Sequence, residues 1–106
     1  MNVGANAKSV AVQASTSGDN TLVAAVTDKK IRVLACVLIA TTAVTARFES
    51  AAGGTALTGQ MPLGANGGFT LPYNPHGWFE TVAGQLLNLE LGGAVAVAGV
   101  LVYVEV

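Results

Sequence analysis

The chain is 106 residues long, with 52% apolar residues, only 10% charged residues and a formal net charge of −1. That length defines one domain with a modest core. Five basic side chains, dispersed except for the Lys29–Arg32 group, exclude a phosphate-tracking surface, and one cysteine excludes an internal disulfide.

The N-terminal MNVGANAKSVAVQ lacks a basic region followed by an apolar run, so it does not read as a signal peptide. Residues 1–20 read as an arm or a first strand: Met1 to Ala7 is small and polar, Ser9 to Ala14 alternates weakly, and STSGDN (Ser15 to Asn20) is a turn cluster. Thr21 to Val26 and Ile31 to Ala40 read as strands joined by the polar turn Thr27 to Lys30, which predicts a hairpin. Ile31 to Ala40 is the most apolar strand. Val33, Ala35, Val37 and Ile39 fall on one side and Leu34, Cys36 and Leu38 on the other, the pattern of a central strand covered on both faces. The uncharged run from Val33 to Ala46 is shorter than the about 20 apolar residues of a spanning helix and contains three threonines, so no membrane partner is expected.

Ala43 to Ser50 alternates, with Val44, Ala46 and Phe48 inward and Thr45, Arg47 and Glu49 outward. Ala51 to Gly54 is a turn, and Thr55 to Met61 holds a brief strand. PLGANGG is a loop, Phe69 to Leu71 resumes strand, and PYNPHG is a rigid connection whose prolines lack backbone donors. The remaining stretch, GWFETVAGQLLNLELGGAVAVAGVLVYVEV, holds three strand-like runs: Trp78 to Val82, Leu86 to Leu91 and Val95 to Val106. In the second, Leu87, Leu89 and Leu91 alternate with Asn88 and Glu90; in the last, Val100, Val102, Val104 and Val106 face one way and Leu101, Tyr103 and Glu105 the other. About eight short strands with regular turn signals and no capped helical period predict an all-β, single-domain sandwich of antiparallel strands, a jelly roll.

No catalytic constellation is legible. His76 has no second histidine, cysteine or acid beside it; Cys36 lies among aliphatic residues; the six acids are dispersed, with no loop holding two. GANGG matches no phosphate-binding pattern. The expectation is a protein without enzymatic activity, metal or cofactor. Tyr73, His76, Trp78 and Phe79 form the one aromatic cluster, read either as a loop closing the core or as interface anchors. With Leu101 and Tyr103 they make up the candidate interface. So few charges on so apolar a chain suggest surface buried between subunits.

The segment PLGANGGFTLPYNPHGWFETVAGQLLNLELGGAVAVAGVLVYVEV, preceded by KKIRVLACVLIATTAVTARFESAAGGTALTG, resembles the C-terminal part of small structural proteins of tailed bacteriophages. The resemblance covers roughly Thr21 to Val106. It implies a jelly-roll virion protein that coats the outside of a capsid after assembly in the host cytoplasm, as a homotrimeric decoration or cement protein bound to the major capsid protein. A tail-fibre or spike module that binds a host receptor or glycan is the alternative it implies.

Overall fold

The computed structural model describes residues 6–106. Ten strands follow in chain order: β1 (Lys8–Ala14), β2 (Gly18–Val23), β3 (Ile31–Ala40), β4 (Val44–Ser50), β5 (Thr55–Ala56), β6 (Met61–Leu63), β7 (Gly68–Leu71), β8 (Phe79–Glu80), β9 (Leu87–Leu91) and β10 (Val97–Glu105). They form two antiparallel sheets. The front sheet has the order β1-β10-β3-β7, with β8 also pairing β3; the back sheet has the order β2-β9-β4-β5, with β6 also pairing β4. β5 and β6 share one flank of β4, and β7 and β8 share one flank of β3, so ten segments fill eight strand positions. The predicted all-β sandwich is the fold observed.

The alternation read from the sequence explains the core. Val44, Ala46 and Phe48 of β4, and Leu87, Leu89 and Leu91 of β9, are buried between the sheets. Val12 of β1, Cys36 and Leu38 of β3 and Leu101 of β10 meet them from the front sheet. Phe48 stacks obliquely on Phe79, with ring centroids 4.8 Å apart. Each large side chain in this layer contributes about 1.5–3 kcal/mol through the surface it withdraws from water.

The predicted hairpin does not form. β2 belongs to the back sheet and β3 to the front, and the segment between them crosses the sandwich. Lys30 exchanges backbone hydrogen bonds with Val106, at 2.7 and 3.0 Å, which starts β3 along β10 rather than along β2. That choice gives the most apolar strand a β-branched neighbour. Pairing with β2 would have set it beside Asp19, Asn20 and Thr21.

β3 also departs from strict alternation. Val102 pairs Ala35 and Tyr103 pairs Val33, so Leu34 is the extra residue of a bulge. Val33 therefore joins the core side with Cys36 and Leu38, instead of the side predicted for it with Ala35 and Val37. The other predicted face of β3 is not covered by this chain: Ile39 is 53% exposed and Ala35 and Val37 are half-buried. On β10, Leu101 points inward as its alternation implies. Tyr103 packs on the core with Leu101, and Val104, though buried, lies outside that core cluster, as the alternation of β10 assigns.

Lys8–Ala14 is an ordinary strand, in register with β10 from Lys8 opposite Tyr103 to Ala14 opposite Val97. It is not an arm; residues 1–5 lie outside the described residues.

Candidate interaction surfaces

The PYNPHG connection interrupts the flank of β3 between β7 and β8. Asn74 shapes it: its backbone N–H donates to Leu34 O (2.9 Å), its Oδ1 accepts from His76 N (3.0 Å) and its O accepts from Gly77 N (2.9 Å). Gly77 has φ 84°, and a Cβ there would stand 2.5 Å from Arg32 Cγ, so both the backbone and the close approach require glycine. Trp78 N then donates to Val33 O (2.8 Å), and the Trp78 indole donates to Pro72 O (2.8 Å), closing the loop on itself.

The six candidate interface residues separate into two groups. Tyr73, His76 and Trp78 are exposed on this loop. Phe79 and Tyr103 are half-buried and pack against the core. Leu101, expected at an interface, is wholly buried inside the monomer, because its side of β10 faces the back sheet. Tyr73 and Trp78 also face different spaces. Trp78 borders an apolar groove of about 590 Å³ with Phe48, Met61, Phe69 and Phe79, at the side where the strands are shortest. Tyr73 borders a notch of about 260 Å³ on the outer face of the front sheet, with Val37, Thr70, Val100 and Val102.

Above the Val104, Arg32 and Glu80 row, that outer face is built from three cross-strand rows. Ala11, Val100, Val37 and Thr70 form the middle row; Gln13, Ala98, Ile39 and Gly68 flank it on one side, and Ser9, Val102 and Ala35 on the other. None of these residues is charged.

The outer face of the back sheet is the opposite in character. Asp19, Glu49 and Glu90, from three different strands, bring carboxylate oxygens within 4.8 Å of one another. These acids are dispersed along the chain, and the one signal of their meeting in the sequence is that Glu49 and Glu90 both fall on outward positions of their strands. Glu49 is nonetheless completely buried. Arg47 grips its Oε2 through Nε and Nη2, at 3.0 and 2.5 Å, and reaches Glu90 at 3.1 Å. Asn88 donates to the other oxygen of Glu49 and to Asp19, both at 2.9 Å. Burial pushes the Glu49 carboxyl up, but its hydrogen bonding with Glu90, Arg47 and Asn88 outweighs burial and holds it below its ordinary value. The guanidinium sits where a cation among these acids would bind, so the cluster reads as a closed structural network.

At the lower end of the front sheet, Glu80 bridges Arg32 (2.8 Å) and Lys30 (3.1 Å), which lowers its pKa chiefly through the Arg32 hydrogen bond. The Lys29–Arg32 group is therefore engaged in part within the chain. Burial pushes the Cys36 thiol up to about 11, the environment of an unreactive core cysteine. His76 stands exposed at the tip of its loop.

Comparison with family profiles, with curated proteins and with solved structures finds no match to this chain.

Proposed function

We propose that this chain is a non-enzymatic structural protein of a tailed-phage virion, a capsid decoration protein whose copies associate and bind the major capsid protein from outside the shell. The observation that carries the reading is the patch of three uncharged rows on the outer face of the front sheet, with Ile39 and Val100 projecting from it. Such a face loses free energy by remaining in water and gains it by being covered. The strand order supports the jelly-roll part of the proposal. The chain passes repeatedly between a β1-β10-β3-β7 sheet and a β2-β9-β4-β5 sheet, with the interrupted pairs completing four positions in each, the arrangement of two Greek keys.

The mechanism is added interface rather than chemistry. Exposed Trp78 and Tyr73 are suited to act as anchors, where truncation of a well-buried anchor costs about 2 kcal/mol or more. Many copies on one shell would add avidity. The tail-fibre reading would use the same two aromatics as stacking platforms for a glycan. It is the weaker one, because Tyr73 and Trp78 face separate spaces lined mainly by apolar side chains.

The test is the copy number of this protein in purified particles, by quantitative mass spectrometry against the major shell subunit. Hundreds of copies in a simple ratio to the shell support decoration. A handful moves the protein to the tail, and none removes the virion reading. Trp78→Ala is expected to lower occupancy on the shell.

A further inference from the structure

We infer that the outer face of the front sheet pairs with the same face of a second copy across a two-fold axis. Of the large apolar side chains that stand exposed among the described residues, three lie on or beside this one face: Ile39 at 53%, Val100 at 42% and Tyr73 at 54%. Its three cross-strand rows contain no charged residue, so like faces meet without like-charge repulsion. An unlike, charged partner would find nothing to pair with. The face also carries both members of a fit. Ile39 projects at one end, and the notch of about 260 Å³ beside Tyr73 opens toward the other. A two-fold axis through a face sends residue i of one copy to residue j of its partner and j to i, so each Ile39 can approach the partner's notch. Because projection and recess share a single face, the contact closes after two copies. A ring of three would need two separate patches. The pairing thus differs from the trimer that the sequence resemblance implies.

The size of the face places the pairing among the small interfaces. Four strands about 4.8 Å apart and three rows about 7 Å apart cover roughly 400 Å² per copy. A standard stable interface buries about 800 Å² per partner. The expected dimer is therefore weaker than a standard stable one, and is reinforced where copies are concentrated on a surface. The two sheets would stack near the about 30° of aligned sandwich packing.

The test is sedimentation equilibrium of the full chain from about 10 µM to about 1 mM. This inference takes only its setting from the proposed function, and it is tested on purified protein without particles. The wild type is expected to pass from the 10.6 kDa monomer to twice that mass. Val100→Lys, which puts a charge at the centre of the face, is expected to raise the dissociation constant at least tenfold, while Thr21→Lys on the back sheet leaves it unchanged. If Val100→Lys does not fold, judged by far-UV circular dichroism, Val100→Thr replaces it and is expected to weaken the dimer several-fold. A wild type that stays monomeric to 1 mM, a trimeric mass, or a dimer indifferent to Val100 overturns the inference. Virion copies without dimers would sink this pairing alone; dimers without virion copies would sink the decoration role alone.

Discussion

Asn88 is the residue on which the back sheet's polar network turns, and its removal gives a prediction that can be worked through. Its side chain is completely buried on β9. Nδ2 donates to Glu49 Oε1 and to Asp19 Oδ1, and Oδ1 accepts from the backbone N–H of Asn20, all at 2.9 Å. Asn88→Ala leaves three partners, and they do not lose equally. Asp19 is exposed and turns to water at little cost. The Asn20 N–H is half-buried and loses about 1 kcal/mol; the carboxylate oxygen of Glu49, with no route to water, loses about 2–3 kcal/mol. The total of about 3–4 kcal/mol is a large part of the roughly 5–15 kcal/mol that holds a domain of this size. Urea unfolding followed by the fluorescence of Trp78, the one tryptophan, measures it directly. Asn88→Asp supplies the control. It sets a further buried carboxyl among Asp19, Glu49 and Glu90, so its folded-state pKa is raised. A raised carboxyl pKa destabilises at neutral pH and recovers as pH falls through that value, so the Asp penalty should shrink between pH 7 and pH 4. Wild-type Glu49 has the opposite sign: its lowered pKa contributes stability above its ordinary 4.5, and that stability is lost as pH falls further. A loss below about 1 kcal/mol for Asn88→Ala, or an Asp penalty independent of pH, would refute the network argument.

The front sheet gives three shorter predictions. Gly99 lies where β10 presses on β3, and a Cβ there would stand 1.7 Å from Val37 O, so Gly99→Ala should cost about 1–3 kcal/mol or more in chemical denaturation. Leu101→Ala should cost about 2–5 kcal/mol as a core cavity, while the mass of the folded fraction stays that of the wild type, as expected of a residue that touches no other copy. Cys36 should react with an aromatic disulfide reagent at pH 8 only at the rate of transient opening, and at once in denaturant; rapid labelling of the native protein would contradict its burial.

What the sequence disclosed follows from how local each feature is. Ile31–Ala40 has the boundaries its composition predicts, and β4 and β9 bury the residues their alternation assigns, because a period of two is written in neighbouring positions. Which strands pair was not written there. Thr27–Lys30 has the composition of a hairpin turn, yet the flanking strands go to different sheets because β10, about seventy residues further on, competes for β3. A single bulge at Leu34 then moved Val33 to the core side, a shift no count of alternating residues anticipates. The acid cluster was hidden for the same reason. Asp19, Glu49 and Glu90 are far apart along the chain, and only the β2-β9-β4 order aligns them. Leu101 failed as an interface residue because an inward and an outward leucine look alike until the sheet above it is known.

The distribution of charge leads to the last prediction. Lys8, Lys30, Arg32 and Arg47 all pair within the chain, with Glu105, Glu80, Glu49 and Glu90, so four of the five basic side chains are engaged internally. Arg32 and Glu80 pair on the outer side of the front sheet below its three uncharged rows, and none of these groups stands within those rows. A contact made there depends on excluded water and fitted shape, and has no ion pair for salt to screen. Raising sodium chloride from about 0.05 to about 0.5 M should therefore leave self-association within roughly twofold, whereas an interface held by exposed ion pairs would weaken steadily. Sodium sulfate should strengthen it, because excluded salts favour the burial of apolar surface. Sedimentation at the two ionic strengths decides the matter. A steep loss of dimer in sodium chloride would place the contact on the charged ends or on the back sheet, and would separate the apolar face from the assembly of this protein.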